Sequence, residues 1–407
     1  MACDAGLRRG QLVPSLYNTP HFAHKEAMRI VPAVSTARSA LAFILVAGLV
    51  LMGTGCGGRS ESDADGGAKV VNVFNWSDYI GPDTIERFER ETGIEVNYDT
   101  YDSSEIVDAK LLAGNTGYDV VVHSGQFSAR LIPIGIYQPL DRSRLPNWKH
   151  LDPKIIEQVE GYPGANEHSA VYMWGTTGFA YNVDLVRERM PDAPVNSARM
   201  LFDPEIVRRF ADCGVTLLDS PTDVFPMVLA YLGLPPGSLE LAHLQAAEEQ
   251  LMKVRPYIRY FSSTKMISDL PNREVCIAMS WSGDYAQAAA RAAETAAPVH
   301  LEYTVPAEGT MLWYDGLYIP ADAPHPDNAY RFINFLLRPE VIAEISNYVY
   351  YANGNRSSLP LLDPAVVNDP GIYPDDTVLG RAHLAPVAPP KMERPRTRAW
   401  ARVKSGI

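Results

Sequence analysis

The sequence predicts an α/β protein of two lobes built around mostly parallel sheet. Three observations point there. From residue 69 to residue 122, β-branched apolar runs alternate with amphipathic stretches at short spacing, the βαβαβ rhythm of a parallel sheet. Several of those runs end in acidic and aromatic residues, at the carboxyl ends of strands where open α/β sheets bind ligands. The part able to fold, about 340 residues, exceeds what one core of ordinary size covers and suits two.

The elements follow in order. Residues 69–74 read as a first strand, and 82–92 as a helix with Ile85 and Phe88 at helical spacing, stopped by Gly93. Residues 94–98 form a second strand. A helix over 103–113 ends at Gly114, and 118–122 is a fully buried strand followed by a loop, His123-Ser124-Gly125-Gln126-Phe127. The rhythm resumes with strands at 215–219 and 275–281. Residues 326–337 form an amphipathic helix closed by Arg338-Pro339.

Ahead of the folded part lies an export segment. Residues 39–52 are apolar but too short to span a bilayer comfortably, with Arg29 and Arg38 before them and small residues after, as in a signal peptide. The run closes on Gly53-Thr54-Gly55-Cys56, which resembles a lipoprotein cleavage site with Cys56 as the lipidated residue. Gly53 departs from the usual Leu there, and ordinary secretion is the alternative. Residues 1–55 are thus an upstream extension and signal peptide, with Met28 the expected start because basic segments normally open such signals. Residues 56–68, rich in Gly, Ser and Asp, are a flexible tether. No later segment approaches transmembrane length, so the only expected contact with a membrane is the lipid anchor.

Removing residues 1–55 changes the balance of Lys and Arg against Asp and Glu from 36 versus 48 to 31 versus 46, a net charge of −15. Such a body disfavours nucleic acid and attracts small cations. Cys213 and Cys276 remain in the body. In an oxidising compartment they can pair, closing a loop worth about 4 kcal/mol, or they remain two buried thiols.

The first strand carries the chemistry, delivering Trp76, Ser77, Asp78 and Tyr79 to its carboxyl end. Two π faces beside a carboxylate suit an organic cation. The rings face the charge and its alkyl stem, and Asp78 accepts charge-assisted hydrogen bonds from an ammonium. The structural alternative puts Trp76 and Tyr79 in the core and makes Asp78 a cap for the helix beginning near Pro82.

Five segments in order, Asn75-Trp76-Ser77-Asp78-Tyr79-Ile80, Glu91-Thr92-Gly93-Ile94, Ile258-Arg259-Tyr260-Phe261, Trp281-Ser282-Gly283-Asp284 and Tyr350-Tyr351-Ala352-Asn353, resemble matching segments of the spermidine/putrescine-binding family, the periplasmic putrescine-binding proteins of polyamine ABC importers. The resemblance runs from about residue 69 to Arg396-Thr397-Arg398-Ala399-Trp400. It implies the two-lobed, hinged solute-binding fold of type II, with the ligand in the interlobe cleft. Crossings fall near 174–177 and 310–313, giving one lobe of 69–175 with 311–342 and another of 176–310 with 343–407. It also implies a Cys213–Cys276 disulfide.

Position by position, the family's pocket falls on Trp76, Ser77, Asp78 and Tyr79, then on Ser124 and Asp223, on Trp281 and Asp284, on Trp313 and Asp315, and on Tyr351. A diamine carries an ammonium at each end of an apolar stem, so carboxylates must meet both ends and aromatic rings the methylenes. Each Asp alone reads as a cap or turn residue. Ser77-Asp78 is the putrescine-type pair, where spermidine-preferring relatives carry Thr-Glu, whereas Trp313 is the spermidine-type residue. Gln126 matches neither pattern, and His123, standing where Pro is usual, reads as a tolerated loop residue. Diamine against triamine therefore stays open.

The implied function is capture of putrescine or a related polyamine by cleft closure and delivery to an inner-membrane ABC permease, by a periplasmic, lipid-anchored monomer without cofactor, metal or catalysis. A binding protein for another organic cation and a polyamine sensor are the alternatives. A cleft hydrolase lacks support: there is no nucleophile elbow, His/Cys metal spacing or phosphate-cradling Gly loop. A carboxylate-bearing ligand would want Arg or Lys at the matched positions, and none is basic. Iron would want clustered Tyr and His.

Overall fold

The computed structural model describes residues 69–294 and 297–407. Met28, the export segment, Cys56 and the tether lie outside the described residues.

Three strands, β1 (Val70–Trp76), β2 (Glu95–Tyr101) and β3 (Val120–Ser124), form a parallel ladder with β1 in the middle. β2 runs beyond its expected end because it pairs with β1 residue for residue, from Val70 opposite Glu95 to Trp76 opposite Tyr101. The helix Thr84–Thr92 between them stops where Gly93 adopts a left-handed φ of 67°. Ser103 caps the helix Ser104–Ala113, its side chain accepting from the Ile106 N–H. The loop expected at 123–127 is absent: His123 and Ser124 finish β3, and a helix Gly125–Leu131 starts at once.

The remaining strands are β4 (Ser169–Asn182), β5 (Val215–Leu217), β6 (Ile258–Phe261), β7 (Ile277–Trp281), β8 (Leu301–Thr304), β9 (Thr310–Tyr318), β10 (Ala352–Asn353) and β11 (Ala382–Leu384). The order is β2-β1-β3-β9-β4-β7-β5-β6. β5, β6 and β7 form a second parallel ladder. The expectation of a mostly parallel sheet holds within each ladder and fails between them. There β9 runs antiparallel to β3, and β4 antiparallel to both β9 and β7. β4 passes from one ladder to the other: up to Thr176 it pairs with β9 and β10, and from Thr177 on with β7 and β8.

Each ladder has its own core. Val71, Phe88, Phe332, Phe335 and Leu317 pack on the first, and Phe202, Phe210, Leu251, Ile277 and Trp400 on the second. Ile345, Val349 and Tyr351 belong to the first core, so the expected division between residues 342 and 343 does not coincide with a change of core. Trp281 packs against both. Cys213 and Cys276, 63 residues apart in sequence, form a disulfide that ties the segment before β5 to the residue preceding β7. Among the described residues no helix is long and apolar enough to cross a membrane.

Candidate functional site

A cavity of about 930 Å³, counting its open mouth, lies where the carboxyl ends of β1, β3 and β7 meet the middle of β9. The sequence-predicted residues all line it. Trp76, Ser77, Asp78 and Tyr79 come from the end of β1, and Ser124 closes β3. Asp223 stands in the first turn of the helix Pro221–Tyr231, and Asp284 in the first turn of the helix Ser282–Glu294, directly after Trp281. Trp313 and Asp315 alternate on β9 with the residue between them facing away, and Tyr351 follows the helix Pro339–Val349.

Rings make the walls. Trp76 stands 4.6 Å from Tyr101 and 6.3 Å, edge to face, from Trp281, which joins the two sides of the cavity. Tyr351 meets Tyr79 at 5.2 Å and Trp313 at 5.5 Å, both edge to face.

Three carboxyls are buried, and neutral donors hold each. Thr177 Oγ1 donates to Asp223 at 2.7 Å, Ser220 Oγ at 2.5 Å and the Trp281 indole N–H at 3.2 Å. Ser124 Oγ donates to Asp315 at 2.6 Å, and the Tyr351 hydroxyl to Asp284 at 2.6 Å. Burial dominates their protonation: it pushes Asp284 up to about 7 and Asp315 up to about 6, and raises Asp223, against the lowering effect of those hydrogen bonds. The Tyr79 hydroxyl and the Trp76 indole N–H face Asp315 and lower its carboxyl without making a regular hydrogen bond to it. Both are buried without a hydrogen-bond partner, as are Gln126 Oε1 and Trp313 Nε1. Orphaned polar atoms are rare in folded interiors, and four around one cavity mark it as a place for a polar guest.

Sequence reasoning missed Tyr101, Asp102, Glu105, Phe127, Asp219 and Gln287, which also line the cavity. Tyr101 ends β2 beside the end of β1 and Asp102 follows it, and that pairing was the available signal. Ser77 Oγ donates to Asp102 at 2.7 Å. Gln126 lines the cavity as well, from the helix that replaces the expected loop. His123 does not line it. It is wholly buried on β3 with Nδ1 2.8 Å from the Tyr137 hydroxyl, and burial pushes its imidazole down to about 3. The tolerated loop residue is thus a neutral core residue.

Among the described residues the lining holds seven carboxylates and no lysine, arginine, histidine or cysteine. No general base of the histidine type serves its hydroxyls, and those of Ser77, Ser124 and Ser220 already donate to carboxylates. Among the described residues no group of three or more His, Cys, Asp or Glu is arranged to hold a metal ion.

Residues 83–374 match the family model of bacterial extracellular solute-binding proteins. The chain belongs to that family. It is 48% identical over 339 residues to a putrescine-binding periplasmic protein of Pseudomonas aeruginosa, covering 83% of this chain and 92% of that one. It is 46% identical over 340 residues to a putrescine-binding periplasmic protein of Escherichia coli, with the same coverage of each. A solved spermidine/putrescine ABC transporter structure from Listeria monocytogenes superposes with a TM-score of 0.75 at 32% identity, covering 83% of this chain and 99% of that one. Like its relatives, this solute-binding protein has the two-lobed type II fold, with the cavity between its two ladders.

Proposed function

We propose that this protein captures putrescine or a closely related polyamine in the cavity and hands it to an ABC importer. The observation that carries the reading is the lining itself, which among the described residues has seven carboxylates, no basic side chain and three tryptophans. A carboxylate or phosphate ligand would meet repulsion everywhere in it. A diamine finds a counter-ion for each ammonium and rings along its methylene stem, and Tyr79 Oη and Gln126 Oε1 are acceptors free for N–H groups. The names of the relatives at 46% and 48% identity support the same ligand class.

In this reading all eleven sequence-predicted residues contact ligand, with Asp284 meeting one ammonium. The lobes close about Gly175-Thr176-Thr177-Gly178, where β4 changes partners. The protein works as a periplasmic monomer tethered through a lipid on Cys56, meets an inner-membrane permease, and performs no chemistry on its ligand. Trp313 beside the putrescine-type Ser77-Asp78 pair supports acceptance of both diamines and spermidine.

Isothermal titration with putrescine, cadaverine, agmatine, spermidine and spermine tests this. One polyamine should bind one to one and be recovered unchanged. Absence of heat with all five, or release of a product, would sink the reading.

A further inference from the structure

The charges in the cavity do not balance those of a diamine. Asp223, Asp284 and Asp315 are buried, while Asp78, Asp102, Glu105 and Asp219 are exposed toward the mouth. A diamine supplies two positive charges to three buried carboxyls, before the rim is counted. An ionised carboxylate left without a counter-charge in a closed cavity is costly, and the smallest available counter-charge is a proton.

Among the described residues nothing else in the surroundings supplies one. Asp284 is faced by Tyr351, by Tyr303 from β8 and by Asp78 from the end of β1. Asp315 is faced by Trp76 from β1 and Tyr79 just after it, Ser124 from β3, Tyr101 from β2, Tyr172 from β4, Tyr314 and Tyr318 from β9, Tyr351 and Asp223. Asp223 is faced by Thr177 from β4, Ser220, Trp281 from β7 and Tyr303. The charged neighbours are all acids. The cations nearby do not reach the buried carboxyls: Lys404 pairs with Asp219 at the rim at 2.8 Å, and Arg130, over the Phe127 ring, pairs with Asp108 and Glu393.

Resting on the polyamine reading, we propose that ligand capture is coupled to proton release, and that a triamine displaces more protons than a diamine. Without ligand, burial holds Asp284 and Asp315 above the ordinary carboxylate range, at about 7 and about 6. An ammonium beside either group favours its charged form and lowers it again. The proton therefore leaves as the ligand enters. Affinity is full above about pH 7 and falls as the pH drops through 7 and then 6, while aliphatic ammonium groups, titrating near the lysine value of about 10, stay charged throughout. A third ammonium takes the place of a proton that a diamine leaves behind.

The test is titration of the intact protein with putrescine and with spermidine between about pH 5.5 and 8, each in buffers of low and high ionisation enthalpy. Near pH 6 protons should be released on binding putrescine and more of them on binding spermidine, and the association constant should fall by up to about tenfold per pH unit per proton below pH 7. Binding with buffer-independent heats and a flat pH profile overturns the coupling and leaves the polyamine reading standing. Proton uptake, or equal release for both ligands, overturns the charge balance. Failure of both ligands to bind at any pH overturns the polyamine reading, and the coupling with it.

Discussion

β1 and β7 both end in Trp, and a serine, an aspartate and a tyrosine follow each: Trp76-Ser77-Asp78-Tyr79 at β1, and Trp281-Ser282-Gly283-Asp284-Tyr285 at β7. One glycine separates them, and it exchanges the roles of the last two residues. At β1 the chain turns directly. Asp78 takes a left-handed φ of 54° and is exposed at the rim, while Tyr79 turns inward against Tyr351. At β7 a helix begins at Ser282, and the added residue sets Asp284 inward, 8% exposed and held by Tyr351. Tyr285 then lies outside the cavity, stacked on Tyr303 at 5.3 Å. Near-identical strand ends thus present a ring on one side and a carboxylate on the other. The offset between strand end and helix start decides which group enters.

The two sides also differ in how they are held. A disulfide staples the β7 side, and side-chain hydrogen bonds such as Asn75 Nδ2 to Tyr98 Oη at 2.9 Å hold the β1 side. The largest effect is therefore expected from Cys213→Ser with Cys276→Ser. Freeing a loop of 63 residues should cost about 4 kcal/mol of unfolding free energy in the chain-entropy account. Hydrogen exchange should show the loss in β5–β7, with β1–β3 protected as before. If both ladders opened together, the two cores would not be separate units.

Next comes the pair of aspartates. Asp284→Asn removes the buried counter-charge and should weaken putrescine binding by about 3 kcal/mol, whereas Asp78→Asn, exposed and screened, should cost about 1 kcal/mol or less. Titration of the two variants side by side decides it. Equal losses would mean that the rim and the floor do not differ in the way burial indicates.

The strand ends were the most legible part of the sequence, because they bring unlike residues together at one point of the fold. All eleven expected site residues do line the cavity. β4 and β9 were not recognised as strands. Every residue of Ser169–Asn182 and of Thr310–Tyr318 is buried, so neither run alternates, and their small residues read as crossings. The antiparallel joins they make are set by pairings between residues far apart in sequence, such as Gly175 with Trp313, which local pattern does not encode. His123 was misread for a related reason. Its partners Tyr137 and Asp108 lie on other elements, and only the fold shows that the ring is enclosed.

Gly283 itself can be tested. A Cβ there would fall 2.4 to 2.5 Å from three atoms of the Tyr351 ring, which Tyr79 and Trp313 hold in place. Gly283→Ala should therefore push the ring off Asp284 and lower stability by about 2 kcal/mol, the scale of an overpacked core. Thermal unfolding reports the stability, and loss of putrescine affinity should accompany it. An unperturbed variant would show that the ring can give way, and that the glycine is not what sets Asp284 against Tyr351.

The smallest effect belongs to the corresponding turn at β1. Asp78 sits in the left-handed region, which side chains other than glycine adopt at a cost, although aspartate and asparagine tolerate it best. Asp78→Gly relieves that cost in the folded state and adds freedom to the unfolded chain, and the two terms oppose each other at about 0.5 to 1 kcal/mol each. Stability should thus stay within about 0.5 kcal/mol of the parent protein, a quarter of the Gly283→Ala loss. The turn does not rest on this carboxylate, since the neighbouring Ser77 hydroxyl is committed to Asp102. A loss above about 1 kcal/mol in denaturant unfolding would show that the Asp78 side chain holds the turn as well as facing the cavity, and the two strand ends would then be supported alike.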